Sequence, residues 1–508
     1  MPWRPAASAV RGPAGIALFA GSLAVALRVP FLHDPPYTDE GGLLVVAAHW
    51  HAGGPFLYGR FFVDRPPVLL LLFRLSTALG GLVALRILGL LLVLISVLCA
   101  GRAGGLLGGR RGSAVGSVVT AALLADPRLG TREIDAETVG VPLVLLSVVL
   151  ALEAVRRTTP AARTALLLAA GASGSCALLV KQNLADGLVF AVVLALGTRA
   201  TRVVSVLLGA SVPLGVAVGW SATGPGARGL WYALYGFRIA GANSLFGTSE
   251  ATRLVRLHDL LLAALLSGLA ALVAFSVATL LRRRPDRVTV ALLAMLVTEI
   301  AGAAGGGYYW THYLIALVPA TVLLAARAVA DLRRPWPLAL LAALALGSST
   351  VAVVAAAAHP AGTTEVAALS SWLDRVQRPG DSAVVLYGEA SVFDATRLRP
   401  AYPFLWTLPQ RVLDPHLTRL VRTLDGPRGP TYVVVRMPLA SWGQAPHHRV
   451  RRALARHYRP AARVGTDRLY VTRRDARLQR RTAAHPPPPR ERATGARAPA
   501  RAPSPLAP

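Results

Sequence analysis

The stretch His33–Pro67, HDPPYTDEGGLLVVAAHWHAGGPFLYGRFFVDRPP, follows the first apolar run of the chain and is too polar to cross a bilayer. The acidic pair Asp39 and Glu40 lies near its start, and Asp64–Pro67 forms its end. Carboxylates beside a membrane span are costly to keep unless they carry a function. The stretch therefore predicts a functional extramembrane loop, around which the apolar remainder of the chain is arranged.

The composition indicates a multi-pass membrane protein. Of the 508 residues, 54% are hydrophobic, and the mean hydropathy of +0.50 is too high for a soluble protein of this size. The net charge of +29 comes from arginine, apart from the single lysine Lys181. The arginines cluster between apolar runs and in the tail, so they indicate topology and no nucleic-acid partner. Cys99 and Cys176 lie in apolar runs, which predicts no disulfide framework and no cysteine metal site.

Arginine placement predicts about eleven transmembrane helices in a polytopic α-helical fold. Arg4 and Arg11 precede the first apolar run, an expected uncleaved anchor, so the N-terminus is predicted to be cytoplasmic. The later runs alternate in direction, and each inward run ends in arginines, as at Arg110 and Arg111. The predicted spans are Gly12–Pro30, Leu82–Gly101, Ser113–Ala125, Thr138–Val155, Ala165–Val180, Leu184–Leu196, Val203–Trp220, His258–Leu281, Val288–Ala304, Thr311–Val329 and Pro337–Ala357.

Three regions follow from these patterns. Residues 1–360 are predicted to form a domain in the plasma membrane, with an outer catalytic loop at residues 31–81. The apolar run Pro67–Leu79 within that loop is too short to span the membrane. Residues 361–472 are predicted to form a small extracytoplasmic α/β domain, and residues 473–508, rich in Arg, Pro and Ala, a disordered tail. The predicted elements of the α/β domain are helix Glu365–Arg378, strand Ala383–Tyr387, helix His416–Leu424 and strand Thr431–Arg436.

Asp39 and Glu40 have two interpretations. On an irregular loop, adjacent carboxylates point in different directions, so one could act as a base while its neighbour orients it or binds a cation. Alternatively, both could favour the start of the helical run Leu43–Trp50, because acidic side chains stabilise a helix N-terminus. A second acidic group on the predicted outer side, Asp135 and Glu137, favours catalysis, because two acidic loops could converge on one site.

Another set of polar residues could bind a phosphate. Lys181 ends a predicted span on the outer side, beside Gln182, where a cation would suit a lipid phosphate. The alternative for Lys181 is snorkelling to the headgroups. The stretch from Tyr308 to Tyr313 is typical of an aromatic belt, but a belt does not explain His312, which could donate to a phosphate or a sugar hydroxyl.

The order of these features resembles that of the GT-C glycosyltransferases, specifically the dolichyl-phosphate-mannose-protein mannosyltransferase-like family and the bacterial lipid A aminoarabinose transferase. The resemblance covers roughly residues 10–360 and is clearest at Thr38–Glu40, Asp64–Pro67 and Tyr308–Pro319. It implies an inverting enzyme that transfers a sugar from a polyprenyl-phosphate donor to a hydroxyl of a protein, lipid or glycan, at the outer face of the membrane.

The resemblance also implies roles for particular residues. Asp39 would be the general base that deprotonates the acceptor. The leaving phosphate needs positive charge or donors, for which Arg65, Lys181 and His312 are the candidates. The second acidic loop departs from the family pattern: the candidates for its expected early aspartate are Asp126, Asp135 and Glu137, of which Asp135 is favoured. Such enzymes are not expected to need a metal, and the sequence shows no closed ligand set; no cofactor is predicted, with a divalent cation as the alternative.

Two other functions compete with the enzyme. A transporter or flippase would use the same intramembrane polar residues for substrate passage, but the sequence contains no inverted repeat and no matching pair of broken helices. A catalytically inactive relative would bind the lipid carrier without transferring its sugar, and only activity distinguishes it from the enzyme.

Overall fold

The computed structural model describes residues 13–196, 199–244, 250–358, 363–442 and 444–474. The arginines Arg4 and Arg11, and the predicted disordered tail from residue 475 onward, lie outside these ranges. The chain divides into two compact units. The first comprises Met1–His33, Arg65–Trp220 and Arg253–His359, and the second comprises Asp34–Asp64, Ser221–Thr252 and Pro360–Pro508.

Helices make up most of the described chain. They are α1 (Pro13–Arg28), α2 (Thr38–Ala48), α3 (Pro67–Ala78), α4 (Leu82–Ala125), α5 (Ala136–Arg156), α6 (Pro160–Leu178), α7 (Asp186–Leu196), α8 (Ala200–Ser221), α9 (Gly226–Trp231), α10 (Phe237–Ser244), α11 (Glu250–Leu266), α12 (Leu269–Leu280), α13 (Arg287–Ala304), α14 (Val318–Asp331), α15 (Trp336–Ala358), α16 (Thr363–Val376), α17 (Ser391–Thr396), α18 (Thr407–Leu413), α19 (Thr418–Asp425) and α20 (Gln444–His457). The strands are β1 (Ser382–Leu386), β2 (Arg399–Pro400), β3 (Tyr432–Val435), β4 (Tyr458–Val464) and β5 (Asp467–Thr472).

The apolar helices confirm a multi-pass α-helical membrane protein, with a smaller number of spans than predicted. Among the described residues, eight helices are long and apolar enough to cross a membrane, or nine if α11 and α12 form one span bent by 67°. The prediction of eleven is not confirmed, for two reasons. The predicted spans Leu82–Gly101 and Ser113–Ala125 lie in the two halves of α4, which count together as one helix in this total although the backbone breaks at Gly108 and Gly109. The predicted span Leu184–Leu196 becomes α7, which has 11 residues and is too short to span alone.

The long element α4 folds back on itself at a pair of glycines. Gly108 and Gly109 have non-helical backbone angles, and the φ of +63° at Gly109 is one that L side chains rarely adopt. Beyond this break, the two halves pack closely. A Cβ atom on Gly104 would overlap the carbonyl oxygen of Gly112, and one on Gly116 would lie 2.6 Å from the carbonyl oxygen of Ala100. Small residues let the two helices approach closely, as is typical inside membranes.

Two buried arginines join α1 and the short turn that follows it to α4 within the first unit. Arg28 donates to the carbonyl oxygen of Leu124 at 2.8 Å, and Arg86 donates to that of Phe31, also at 2.8 Å. Both side chains are buried, so these hydrogen bonds offset part of the cost of removing each guanidinium from water. Glu299 similarly joins α13 to the start of α14, because its carboxylate accepts a hydrogen bond from the backbone N–H of Ala320 at 3.0 Å.

The second unit contains an α/β domain built on a five-stranded sheet with the order β2-β1-β3-β5-β4. Strand β1 is parallel to β2 and β3, and β5 is antiparallel to β3 and β4. The two predicted strands appear as β1 and β3, and the two predicted helices as α16 and α19. Both central strands consist largely of buried Val, whereas the short strand β2 and the polar, alternating β4 and β5 gave too weak a pattern to predict.

Candidate functional site

A buried ion pair forms the centre of a charged group in the first unit. Glu137 lies in the first turn of α5, and Lys181 follows the end of α6. Their side chains form a salt bridge, and the two residues are only 1% and 7% exposed. The ammonium also lies 4.5 Å from the centroid of the Tyr313 ring, which adds a cation–π contact. Snorkelling would expose the ammonium at the surface, so this burial argues against the snorkelling interpretation of Lys181.

The acidic residues that precede α5 meet His312. Asp135 is the N-cap of α5, and its Oδ1 accepts the backbone N–H of Thr138 at 2.8 Å. Burial, and then the negative charge of Glu137, raise the pKa of the Asp135 carboxyl well above its usual range. His312 Nδ1 lies 3.8 Å from Glu133 Oε1. The favoured residue of the second acidic loop is thus a helix cap that also belongs to a histidine–carboxylate group.

This histidine–carboxylate group could hold a metal ion. Glu133, Asp135 and His312 each have a ligand atom within 4.8 Å of those of the other two. Two carboxylates and an imidazole suit Zn²⁺ or Mn²⁺. The sequence predicted no closed ligand set, because His312 is far from Glu133 and Asp135 in sequence. The sequence feature that could have indicated this group is the acidic residue at every second position from 133 to 137.

An arginine that the sequence analysis missed joins the aromatic stretch. Arg256 on α11 lies with its Cζ 4.1 Å from the centroid of the Trp310 ring, and its Nη1 donates to the carbonyl oxygen of Tyr308 at 3.4 Å. His312 stacks on Trp310 with ring centroids 6.4 Å apart and meets Tyr313 edge-on at 4.9 Å. The aromatic stretch therefore positions both an arginine and a histidine. The sequence feature that could have indicated Arg256 is its position in the amphipathic helix α11.

The first unit thus brings together most of the predicted phosphate-binding and acidic residues. Arg65 is close enough to Glu137 to interact with it electrostatically, and Gln182 follows Lys181 directly in the chain. We call this set the charged group; its members are Arg65, Glu133, Asp135, Glu137, Lys181, Arg256, His312 and Tyr313. Cations and carboxylates are mixed within it, an arrangement that can hold a phosphate close to groups able to accept or donate a proton.

Asp39 and Glu40 lie in the second unit, and the structure corrects their predicted local conformation. They occupy the first turn of α2, not an irregular loop. Glu40 is fully buried, and its Oε2 accepts the backbone N–H of Tyr37 at 3.1 Å, so it closes the start of the helix. Asp39 is half-buried, and its Oδ1 accepts a hydrogen bond from Trp406 Nε1 at 2.9 Å. The cap interpretation therefore fits Glu40, whereas Asp39 contacts a side chain distant in sequence.

The α/β domain contacts the start of α2 at further points. Thr38 donates to Glu389, which also accepts from Ser391 at 2.6 Å and pairs with Arg436 at 3.0 Å. The other end of the stretch His33–Pro67 is fixed within the same unit at Asp64, which forms an ion pair of 2.6 Å with Arg238. Neither Glu389 nor Arg238 could be inferred from sequence as a partner, since each lies more than 150 positions from the residue that it contacts, Thr38 and Asp64 respectively.

The fold is similar to those of solved membrane transferases of the predicted GT-C type, which confirms the predicted resemblance at the level of fold. No protein-family model and no curated protein sequence matches the chain. The solved structure of ArnT, the lipid A aminoarabinose transferase, from Cupriavidus metallidurans bound to undecaprenyl phosphate has a TM-score of 0.61 at 15% identity, and the match covers 91% of this chain and 99% of that one.

Archaeal oligosaccharyltransferases have the same fold. The Archaeoglobus fulgidus enzyme in complex with Zn and sulfate has a TM-score of 0.53 at 14% identity, covering 84% of this chain and 68% of that one. The oligosaccharyltransferase AglB from Archaeoglobus fulgidus, in complex with an inhibitory peptide and a dolichol-phosphate, has a TM-score of 0.52 at 12% identity, covering 91% and 74%. At these identities the similarity establishes the architecture.

Proposed function

We propose that this protein is an inverting glycosyltransferase that moves a sugar from a polyprenyl-phosphate donor to an acceptor hydroxyl at the outer face of the plasma membrane. The observation that carries the proposal is the buried pair of Lys181 and Glu137, surrounded by further cations and aromatic rings. Two structures of the same fold contain undecaprenyl phosphate and a dolichol-phosphate. A lipid-linked phosphate is therefore the substrate class that we assign to the charged group.

The donor phosphate is the proposed ligand of the cations. Ammonium and guanidinium groups bind phosphate oxygens through charge-assisted hydrogen bonds. Negative charge develops on the phosphate as its bond to the sugar breaks, and cations that are already fixed in place lower that barrier. Glu137 and Tyr313 hold the Lys181 ammonium in position. Arg65, Arg256 and His312 complete the proposed phosphate site, with Gln182, Tyr308 and Tyr313 as further donor contacts.

Asp39 is the proposed general base. It would take the proton of the acceptor hydroxyl while the hydroxyl oxygen forms a bond to the anomeric carbon of the sugar. The bond between that carbon and the phosphate oxygen breaks, and its electron pair leaves with the polyprenyl phosphate. Attack from the face opposite the phosphate inverts the anomeric configuration. Glu40 is assigned the role of fixing the first turn of α2, on which Asp39 lies.

The proposed transfer uses no metal ion. Glu133, Asp135 and His312 have the donor types that a divalent cation would need, and such an ion would supply positive charge to the phosphate. Lys181 and the two arginines supply that charge without it. The acceptor, whether a protein, a lipid or a glycan, and the sugar itself are left to experiment.

The test uses the purified full-length protein in nanodiscs with a panel of polyprenyl-phosphate sugars. Release of polyprenyl phosphate is measured by mass spectrometry, with total membrane lipid, peptidoglycan fragments and secreted protein as separate acceptor pools. We expect release with one donor, dependent on an acceptor pool and lost in the Asp39→Asn variant. Binding of donors without release in any pool would contradict the transferase and indicate a lipid-carrier-binding protein.

A flippase needs its own readout. The same protein is reconstituted in liposomes that carry a fluorescent polyprenyl-phosphate sugar, and movement of the donor between leaflets is followed by quenching from outside. The proposal expects no acceleration above empty liposomes. Rapid movement together with an absence of sugar transfer would favour the transporter.

A further inference from the structure

We propose that Trp406, in the α/β domain, is a positioning residue that fixes the carboxylate of Asp39. This inference rests on the proposed function, in which Asp39 is the general base. The indole Nε1 donates to Asp39 Oδ1 at 2.9 Å, across 367 positions of sequence and within one compact unit. The α/β domain would thus complete the site of the base, in addition to any part it has in binding an acceptor.

Two glycines bring the helix of the base directly against this tryptophan. A Cβ atom on Gly42 would overlap the indole ring of Trp406 and would lie 2.7 Å from the Cβ of Ala390. A Cβ atom on Gly41 would lie 2.6 Å from the Cα of Ser391. Both distances are below van der Waals contact, so any larger residue would force α2 away. The sequence Asp-Glu-Gly-Gly therefore places the base within hydrogen-bond range of the indole.

The segment that carries Trp406 is itself fixed to the central sheet. Thr407 donates to the carbonyl oxygen of Tyr387, directly after β1, at 2.5 Å. A Cβ atom on Gly388 would lie 2.8 Å from the carbonyl carbon of Trp406, and Gly388 has a φ of +74°. The indole is thus held by the end of a buried strand, which gives it a fixed position from which to donate.

A second contact keeps α2 in register with the α/β domain. Thr38, immediately before Asp39, donates to Glu389, and Glu389 is in turn held by Ser391 and Arg436. The Thr38 contact holds the helix in place, and the indole hydrogen bond to Oδ1 restricts rotation of the Asp39 carboxylate about χ2. The direction in which the base meets an acceptor hydroxyl is then set by the domain and not by the helix alone.

The inference predicts a specific defect in the Trp406→Phe variant. Phenylalanine keeps an aromatic ring against Gly42 and removes the N–H donor. We expect kcat to fall by about tenfold or more, because a mispositioned base slows the chemical step. The KM for the polyprenyl-phosphate donor should stay unchanged, because Trp406 is assigned no contact with the donor phosphate. Trp372→Phe, at a fully buried tryptophan on α16 of the same unit, is the matched control and should leave kcat of the folded protein unchanged.

A double-variant cycle separates positioning from a merely structural contribution. If Trp406 acts through Asp39, then Trp406→Phe should cost nothing further in the Asp39→Asn background, where the base is already lost. An equal loss of residual activity in both backgrounds, or an unchanged kcat in the single variant, would overturn the inference while leaving the transferase intact.

The contact itself can be tested without turnover. In detergent, the thermal unfolding of Asp39→Ala, Trp406→Phe and the double variant should be non-additive, because the two side chains interact directly. Additive shifts in Tm would overturn the contact. A wild-type protein that transfers no sugar, together with a coupled pair in this cycle, would instead overturn the proposed function.

Discussion

The carboxylate of Glu137 holds the ammonium of Lys181 inside the protein, with 7% of the lysine exposed. Removing either partner leaves the other charge buried and unpaired, which typically costs about 3–5 kcal/mol. Removing both leaves no uncompensated charge. A loss of function in a Lys181 single variant would therefore combine two effects, a destabilised fold and a weakened donor site.

We accordingly predict strong coupling between Lys181→Met and Glu137→Gln. Each single variant should lose stability to chemical denaturation in detergent, and the double variant should regain a large part of the loss. Simple additivity would show that the salt bridge contributes nothing. The double variant, once shown to be folded, is then the correct protein for donor binding, and its affinity for polyprenyl phosphate should fall. Lys181→Arg should keep part of that affinity, because a guanidinium also forms charge-assisted hydrogen bonds with phosphate.

The fold of α4 makes a prediction about adjacent glycines. Gly104→Ala should destabilise the protein by about 1–3 kcal/mol, because its Cβ would overlap the carbonyl oxygen of Gly112. Gly105→Ala is the matched control, since its Cβ would meet only Ser113 at an ordinary 3.6 Å. That substitution should be neutral or slightly stabilising, because alanine favours a helix. Equal effects of the two variants would contradict the close packing within α4.

The same element shows how far sequence reasoning extends. The apolar runs of α4 were located correctly, since twenty or so apolar residues are a strong signal. That the two runs fold back on each other at Gly108 and Gly109 depends on close packing between the two halves, which no local pattern reports. The short helix α7 has the composition of a span without its length, and hydropathy alone does not distinguish the two.

The orientation of the chain remains a prediction from arginine placement. Reporter fusions placed after Arg111, Arg202 and Arg284 should be cytoplasmic, and a fusion after Gly224 should lie outside, because arginine-rich loops stay on the cytoplasmic side. Alkaline phosphatase and green fluorescent protein fusions at the same sites give complementary readouts. An external position for Arg284 would reverse the topology and place the proposed reaction on the wrong face.

Chelation tests the metal-independent transfer. We expect full activity after dialysis against EDTA, because Lys181, Arg65 and Arg256 provide the positive charge that the phosphate needs. His312→Gln serves as the companion variant, since it removes an imidazole ligand and leaves both carboxylates. The opposite result would be a loss of turnover in EDTA that Mn²⁺ or Zn²⁺ reverses in the wild type but not in His312→Gln. That result would assign Glu133, Asp135 and His312 to a metal site.

The candidate site was only partly accessible to sequence. Asp135, Glu137, Lys181 and His312 could be named because charged or polar residues at the ends of apolar runs are conspicuous. Their pairing could not, since the Lys181 salt bridge joins residues 44 positions apart and depends on how α5 and α6 pack. Trp406 gave no signal at all, because an indole in a largely apolar stretch such as residues 402–409 is most often a packing residue.

The account depends most directly on Asp39, and Asp39→Asn is the variant that tests it. Asparagine keeps a carbonyl oxygen for the N–H of Trp406, and Glu40 still closes the start of α2, so the Tm should match that of the wild type. Turnover should fall by roughly a hundredfold or more, because the amide cannot accept the acceptor proton. Asp34→Asn, which removes a charge five residues upstream, should keep normal turnover. The deciding measurement is the rate of polyprenyl-phosphate release by the folded Asp39→Asn protein: a large loss at unchanged Tm supports the proposed base, and a stable variant with wild-type turnover would contradict it.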